Sequence, residues 1–288
     1  MVEISAAMVM KLRKISGQGM MDCKRALQET GGDIDQAMDL LRKKGLATLA
    51  KRAERDTSEG LVVSKISPDG KTAVMATLCC ETDFVAKSDD FIATAQTLVD
   101  FALACKADEG VENVLETSAD SKKFSDVLTE IVSKTGEKTQ VGDYAKYTLD
   151  GPGLIGTYIH FNEKVGTMVQ IETGDEAMAA VDALKQTAAD LAMHITATKP
   201  LALDKDQIDP AIIEREKAIF AEQVKNKPAN IIDKIVEGKM KKFYAENCLL
   251  QQPFVKDDSK SVEQVLAEAA KQAGGEAKIK RFVRFEVG

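Results

Sequence analysis

The spacing of apolar residues over positions 6–45 predicts three short helices. Apolar side chains recur there every three or four residues, which is the period of a helix with one buried face. Ser5 and Asp33 stand where the first and third helices need a capping side chain, and glycines follow the first two segments. A Lys/Arg-rich stretch at 51–56 then predicts a linker. The predicted helices cover residues 6–16, 20–30 and 34–45.

From Gly60 onward the apolar period becomes that of strands. Two apolar runs flank a Ser-Pro-Asp-Gly turn at 67–70, which predicts a β-hairpin, and amphipathic helices follow it. The same order, a hairpin and then a helix, returns in the second half of the chain. The predicted strands and helices cover residues 61–66, 73–80, 91–105, 124–133, 154–160, 165–172 and 177–195.

The two hairpin stretches are similar in sequence. Residues 60–83 and 153–175 share a leading Gly-Leu, a central turn and a closing Glu-Thr before an acidic residue, at an offset of 91–93 positions. This similarity indicates an internal duplication of a hairpin-then-helix unit. With only two copies, coincidence stays open as the alternative.

A long helical stretch is inserted after the second copy. Apolar stripes in residues 210–225 and 229–246, joined by a tight Asn-Lys-Pro connection, predict an antiparallel helical hairpin. The final strand, residues 279–287, places Val283, Phe285 and Val287 on one face. The chain is therefore predicted to be α+β, with a three-helix module, two repeated α/β subdomains with antiparallel sheets, and the inserted hairpin. The predicted domains are residues 1–55, 56–140 and 141–288, with the hairpin at 210–247.

The distribution of charged residues indicates which kinds of partner the chain can bind. The 288 residues carry a net charge of −7, but residues 1–55 carry net +4 and the remainder net −11. An acidic chain is not expected to bind nucleic acid directly, because that affinity comes from neutralised phosphates. The basic N-terminal region is either a solvated helical face or a docking surface for an acidic partner.

The cysteines indicate a reducing compartment. The five cysteines are odd in number and none has the spacing of zinc ligands, so reduced cytoplasmic thiols are expected and no metal site. We expect no signal peptide and no membrane span, because no apolar run is long enough. These features predict a cytoplasmic protein.

The sequence contains no nucleotide-binding, hydrolase or metalloprotease signature. The two histidines, His160 and His194, are expected to be packed or surface residues. The alternative is a thiol enzyme that uses Cys80 with His160, which needs a thiol of low pKa beside a base. Nothing in the spacing demands that arrangement.

The segment between the first hairpin and its helix has two interpretations. In one, Thr82 or Asp83 caps the coming helix and Phe84 packs against it as a hydrophobic staple. In the other, Asp83 and Phe84 protrude from a turn, and the aromatic ring anchors in a pocket on a partner.

Two stretches resemble the signatures of the bacterial elongation factor Ts family. Residues 12–27 read LRKISGQGMMDCKRAL, and residues 82–87 read TDFVAK. Further similarity extends along nearly the whole chain, including residues 194–200, 237–243 and 284–288.

This resemblance implies a nucleotide-exchange factor without catalytic chemistry or a cofactor of its own. It implies a ubiquitin-associated-like helical module and a coiled-coil hairpin. It also implies that elongation factor Tu is the partner, in a 1:1 or 2:2 complex, and that the Asp-Phe pair enters that GTPase near its nucleotide and magnesium site. Members' partner contacts correspond to Arg13, Met20, Met21, Lys24, Thr82, Asp83, Phe84, Val85, Thr135, Gly136, His160 and Val255.

The chain departs from the family pattern at two of these contacts. Thr135 stands where Ile is familiar, and Lys256 stands beside Val255 where Met is familiar. Some members also carry a further C-terminal helix, which we expect this chain to lack.

Overall fold

Three helices precede the first strand. The computed structural model describes residues 4–119 and 121–288, so residues 1–3 of the predicted first domain lie outside the described part. Ser5 caps the first helix by accepting a hydrogen bond from the Met8 amide at 3.3 Å. Leu12 and Leu27 are fully buried between the helices, whereas Ile15, which the helical spacing places on the same stripe as Leu12, is 56% exposed. The helices are α1 (Ala6–Ser16), α2 (Met20–Glu29) and α3 (Ile34–Lys51).

The first α/β unit is built on a three-stranded antiparallel sheet in the order β1-β2-β5. Its core lies between this sheet and the helices, with Phe91, Leu98 and Phe124 fully buried. Its elements are β1 (Glu59–Ile66), β2 (Thr72–Cys80), α4 (Asp83–Ala86), α5 (Asp89–Ala104), α6 (Val111–Glu116), β3 (Ser118–Ala119), β4 (Lys122–Lys123), α7 (Phe124–Thr135) and β5 (Thr139–Thr148).

Strand β5 was not predicted from the pattern. It pairs antiparallel with β2, and its register shifts opposite Thr77, so that Gly142 and Asp143 form a bulge. A β-carbon at Gly142 would stand 2.6 Å from the Thr77 hydroxyl oxygen, which explains the glycine. The strand crosses the predicted domain boundary at residue 140, and the division of the chain into domains stays a prediction.

The second α/β unit repeats the first. Its sheet has the order β10-β7-β6, so in both units the second strand of the hairpin is central. Each hairpin is also followed by a four-residue helix and then a long one, in agreement with the duplication read from the sequence. The elements are β6 (Gly153–Ile159), β7 (Val165–Thr173), α8 (Glu176–Ala179), α9 (Asp182–Thr198), α10 (Pro210–Gln223), α11 (Ala229–Asn247), β8 (Pro253–Phe254), β9 (Asp257–Ser261), α12 (Val262–Gln272) and β10 (Ala277–Glu286).

Helices α10 and α11 form the predicted helical insertion. A short connection joins them, and the Lys239 ammonium of α11 lies 5.3 Å from the centre of the Phe220 ring of α10. No described residue of α10 is fully buried, and the base of the insertion packs on Ile208 and Cys248. Coiled-coil packing along its length stays a prediction.

The two sheets pack against each other through a shared apolar cluster. Val62 and Met75 of the first sheet contact Met168 of the second, together with Val287 after β10. Val283 and Phe285, both partly buried, join the same cluster, which confirms that the three apolar residues of the last strand share one face. Together these elements make an α+β fold with small antiparallel sheets. Within the part of the chain that the structure describes, no helix is long and apolar enough to cross a bilayer.

The N-terminal helices dock on the first α/β unit through α3 and α7. Helix α3 was predicted to end at Gly45, but it continues to Lys51. A β-carbon at Gly45 would lie 2.8 Å from the Thr129 carbonyl oxygen and 2.9 Å from the Ser133 β-carbon. The glycine therefore permits close approach of two helices and does not terminate one.

Candidate functional site

A four-residue helix, α4, carries the second signature segment. Thr82 caps it in an extended conformation, and its hydroxyl accepts a hydrogen bond from the Val85 amide at 3.4 Å. Ala86 is buried and Val85 is partly buried against the first core. With those two side chains turned inward, Asp83 and Phe84 face solvent.

Phe84 is the most informative side chain of this segment. Its surface is 83% exposed, so the staple interpretation of Phe84 is wrong. Burying a phenylalanine side chain is worth ~1.5–3 kcal/mol, a gain that this fold forgoes. A large apolar ring held out on a capped helix, at the end of a buried strand, is what a partner pocket requires.

Asp83 provides a fixed negative charge beside that ring. Its carboxylate accepts a hydrogen bond from the Lys87 ammonium at 2.8 Å, one helical turn away. This hydrogen bond and the charge of Lys87 hold the pKa of Asp83 below its ordinary value. The side chain is about half exposed, so its charge is available to another molecule.

The first signature segment forms the turn between α1 and α2. Gly17 adopts the left-handed conformation, with φ of 66°, that ends α1. Around this turn the two neighbouring methionines are exposed, Met20 by 48% and Met21 by 62%. Arg13 and Lys24 are also exposed. The turn thus presents two flexible apolar side chains flanked by two positive charges.

The turn that follows α7 lies beside the α1–α2 turn. A β-carbon at Gly17 would overlap the Lys134 side chain, 2.4 Å from its Cε. Gly136 ends α7 in the left-handed conformation, and its amide donates to the Val132 carbonyl at 2.8 Å. Thr135 bonds back to the Ile131 carbonyl at 2.9 Å. Thr135 and Gly136 are therefore close to the signature turn of the helical module.

The same turn also contacts the segment that carries Phe84. Glu137 accepts hydrogen bonds from the Thr82 hydroxyl at 2.8 Å and from the Thr82 amide at 3.1 Å. Glu81 accepts one from the Lys138 amide at 2.7 Å. The turn after α7 therefore contacts both signature segments, through Lys134 beside Gly17 and through Glu137 on Thr82.

His160 lies in the second α/β unit, two residues before a segment that lines a cleft together with α4. A cleft of about 510 Å³ has Asp83 and Lys87 on one wall and residues 162–164 on the other. Phe161 separates His160 from that second wall in the chain, and the His160 Nδ1 lies 3.2 Å from the Tyr158 hydroxyl. The His160 ring packs 4.3 Å from the ring of Phe161, which is 88% exposed.

Val255 is also exposed, but its described hydrogen bonds lead elsewhere. It follows β8, and its amide donates to Nδ1 of His194 on α9 at 3.2 Å. The neighbouring Lys256 pairs with Asp190 of α9 at 2.7 Å, so the lysine that departs from the family pattern is held on the second unit. No described hydrogen bond joins Val255 to the surface around Phe84.

The geometry does not support a thiol enzyme at Cys80. Burial, with a contribution from the nearby Glu137 charge, raises the pKa of the Cys80 thiol to about 12. Its Sγ donates to the Thr82 carbonyl at 3.2 Å, whereas the described side-chain bond of His160 goes to Tyr158. His194 is fully buried and bonded to Gln252 at 2.9 Å, and burial lowers its pKa.

Sequence reasoning missed Glu81, Glu137 and Phe161 as residues of this surface. Glu137 directly follows Thr135 and Gly136, so its position along the chain was the available signal. The exposure of Phe161 had no such signal. Among the described residues, no group of three or more His, Cys, Asp or Glu side chains could hold a metal ion.

Comparisons with known proteins agree on one family. The family model described as "Elongation factor TS" matches residues 81–288. A protein named elongation factor Ts from Nitratiruptor sp. is 46% identical over 287 residues, covering 99% of this chain and 93% of that protein. Proteins of the same name from Nitratidesulfovibrio vulgaris and Clostridium botulinum are 40% and 42% identical, each over 99% of this chain, and cover 96% and 93% of those proteins.

Proposed function

Since the chain belongs to the elongation factor Ts family, and that membership implies a nucleotide-exchange role in translation elongation, we propose that it speeds GDP release from elongation factor Tu. The observation that carries the proposal is the exposed Phe84 ring, 83% accessible, beside the Asp83 carboxylate on a capped helix. In this proposal no covalent bond is made or broken by the chain, and it needs no cofactor.

The energetic task of such a factor is large. A GTPase holds GDP through backbone amides around the phosphates and through a magnesium ion that bridges phosphate oxygens. Nanomolar affinity corresponds to ~12 kcal/mol, which implies slow spontaneous release. To speed release, the factor must bind the nucleotide-free GTPase better than the GDP-bound form.

Phe84 and Asp83 provide a means to do this. We expect the Phe84 ring to enter between helices of the partner, close to the nucleotide and magnesium site. The ring gains burial only when those helices separate, so it favours the state in which the phosphate amides and the magnesium ligands are displaced. The Asp83 carboxylate would add an unfavourable charge beside the phosphates.

Further contacts would hold the partner while the ring acts. A stable protein interface buries ~1,600 Å² in total, which exceeds what one short helix can supply. The exposed methionines and basic residues of the helical module, the turn after α7, and the exposed positions of the second α/β unit supply that area in the proposal. These contacts are Arg13, Met20, Met21, Lys24, Thr82, Val85, Thr135, Gly136, His160 and Val255.

The complex is proposed to be 1:1 or 2:2 and cytoplasmic, without direct contact to nucleic acid or membrane. The net charge of −7 supports the absence of nucleic-acid contact, because phosphate binding requires a basic surface.

The substitution Phe84→Ala tests the proposal. We expect it to remove most of the stimulated release of a fluorescent GDP analogue from elongation factor Tu, because truncation of a central aromatic anchor costs ~2 kcal/mol or more. Leu201→Ala is the matched control, since Leu201 is also an exposed apolar residue, at 54%. Wild-type stimulation by Phe84→Ala, with an unchanged melting temperature, would refute the proposal.

A further inference from the structure

The orientation of α4 needs an explanation, because a helix of four residues is not stable by itself. Burial of Ala86 and partial burial of Val85 fix one face of the helix. These two small contacts leave the N-terminal end of the helix, where Asp83 and Phe84 begin, without an apolar anchor. The hydrogen bonds of Thr82 therefore determine how that end is held.

Glu137 accepts two of those hydrogen bonds. One carboxylate oxygen accepts a hydrogen bond from the Thr82 hydroxyl at 2.8 Å, and the other accepts one from the Thr82 amide at 3.1 Å. The same hydroxyl accepts from the Val85 amide at 3.4 Å. Glu137 thus orients the hydroxyl that caps the helix and fixes the backbone one residue before Asp83. Hydrogen bonds to an ionised acceptor are stronger than neutral ones.

The turn that carries Glu137 is itself held from both sides. The Glu137 amide donates to the Thr135 hydroxyl at 3.3 Å, which ties it to the end of α7. On the other side the Lys138 amide donates to Glu81 at 2.7 Å. Glu81 therefore accepts a hydrogen bond from the turn after α7, and Glu137 of that turn accepts hydrogen bonds from Thr82. Each of the two segments provides a carboxylate that binds the other.

Glu81 is fixed by a further partner. Arg52, just beyond α3, donates to both Glu81 oxygens at 2.7 and 2.8 Å. Burial alone would raise the pKa of Glu81, but the bonds from the Lys138 amide and Arg52 outweigh it and lower the pKa. The Lys138 ammonium also donates to the carbonyl oxygens of Ala53 and Arg55 at 2.8 and 2.9 Å. The turn after α7 is therefore tied to the strand end, to the linker and to α4.

We infer that Glu137 is a positioning residue for exchange: it holds α4 in the orientation in which Phe84 reaches the partner, without touching the nucleotide itself. This inference rests on the proposed function of Phe84. The turn of residues 134–136, in which Thr135 departs from the family pattern, then has a second role. It supports Glu137 in the position from which its carboxylate reaches Thr82.

The first test measures exchange with Glu137→Gln. The amide keeps the size of the side chain but replaces one acceptor oxygen with a donor, so the two bonds from Thr82 cannot both persist. We expect the maximal rate of GDP release at saturating factor to fall about tenfold, since misplacement by ~1 Å costs up to 10²-fold where geometry decides the rate. The half-saturating concentration should change less, because the other contacts persist. Glu116→Gln is the control, since Glu116 is exposed and pairs with Lys123.

A double variant separates positioning from an independent contact. If Glu137 acts through Phe84, then adding Glu137→Gln to Phe84→Ala should lower the rate by less than about twofold further, because coupled residues are not additive. A full tenfold further loss in the Phe84→Ala background would overturn the inference, and so would an unchanged rate for Glu137→Gln alone.

Amide hydrogen exchange tests the positioning without the partner. We expect the Thr82 amide of the free protein to exchange at least about tenfold faster in Glu137→Ala, because alanine offers that amide no acceptor, whereas glutamine keeps one acceptor oxygen. The melting temperature should stay near that of Glu116→Ala. Unchanged Thr82 protection would overturn the inference even if Phe84→Ala abolishes stimulation. Conversely, wild-type stimulation by Phe84→Ala would refute the proposed function while this measurement still reports on Glu137.

Discussion

Arg13 illustrates what a single exposed charge contributes to the proposed surface. It lies in the last turn of α1, and its backbone carbonyl accepts the hydrogen bond from Gly17 that ends the helix. Its guanidinium is exposed and has no described hydrogen bond or ion pair within the described residues. Removing this side chain therefore leaves no other group of the fold unpaired, whereas a bound partner would lose its contact with the positive charge of Arg13.

We expect Arg13→Ala to weaken the complex with elongation factor Tu by about 1 kcal/mol and to leave the melting temperature almost unchanged. Binding measured by calorimetry and melting measured by circular dichroism would show the two effects separately. Lys11→Ala, an exposed basic residue on the same helix, is the matched control and should bind more tightly than Arg13→Ala. Equal affinities for all three proteins would exclude the predicted contact.

The residues of the site differ in how far the sequence could predict them. Thr82 as a cap follows from residue type and position, and the structure confirms it. The outward position of Phe84 does not follow, because a staple uses the same residues. Only the burial of Val85 and Ala86 decides which side chains of α4 remain for solvent. The role of Glu137 depends on a pairing over 55 residues, which no local pattern contains.

At the scale of elements, two glycines inside helices differ in their surroundings: one is packed against a neighbouring helix and the other has open space beside it. In α3, Gly45 stands against α7, where a β-carbon would be 2.8 Å from a carbonyl oxygen. In α11, Gly238 has nothing within 4 Å of the position of its β-carbon. The two glycines share a helical backbone and differ only in what surrounds them.

This difference predicts opposite signs for one substitution. Gly238→Ala should stabilise α11 by about 1 kcal/mol, which is the helix propensity gained. Gly45→Ala gains the same propensity but forces α3 away from α7, so we expect a net destabilisation of about 1–3 kcal/mol. Chemical unfolding followed by circular dichroism measures both. Stabilisation by Gly45→Ala would show that the close approach of α3 and α7 is not a constraint.

The elements also show where apolar periodicity is informative. Both hairpins were predicted because alternation and turn residues are local signals. Strand β5 was missed because the bulge at Gly142 and Asp143 interrupts its alternation, and its partner β2 lies more than 50 residues earlier in the chain. The end of α3 was misplaced because a glycine that serves packing looks the same in sequence as a glycine that ends a helix.

At the scale of the whole molecule, the proposed contacts are spread over all parts of the fold. Phe84 lies on the first α/β unit, His160 and Val255 on the second, and Met20 and Met21 on the helical module. The apolar cluster shared by the two sheets holds the units together. In the proposed complex, contacts at several of these points hold the partner while Phe84 acts at one. We therefore expect that substitutions can separate affinity from exchange activity.

This separation leads to a thermodynamic prediction. Binding of GDP and of the factor to the same GTPase is reciprocal, so each must weaken the other by the same factor. We expect GDP to weaken the wild-type complex by at least about fivefold, within the usual range of coupling energies. Calorimetric titration of elongation factor Tu with the factor, with and without saturating GDP, measures this ratio directly.

The substitution Phe84→Ala should weaken binding to the nucleotide-free GTPase and leave binding to the GDP-bound form nearly unchanged, so that this ratio falls by the same factor. In the proposed function the ring is the group that requires partner helices to separate, so without it we expect the factor to distinguish less between the empty and GDP-bound forms. We expect the remaining contacts from the helical module and the second α/β unit to be the same in both forms and to keep the complex together. We therefore expect the GDP-dependent ratio to approach one in Phe84→Ala, with Leu201→Ala retaining the wild-type ratio. If Phe84→Ala instead lost affinity equally with and without GDP, the ring would be an ordinary anchor, and the displacement of GDP would have to arise from another part of the surface.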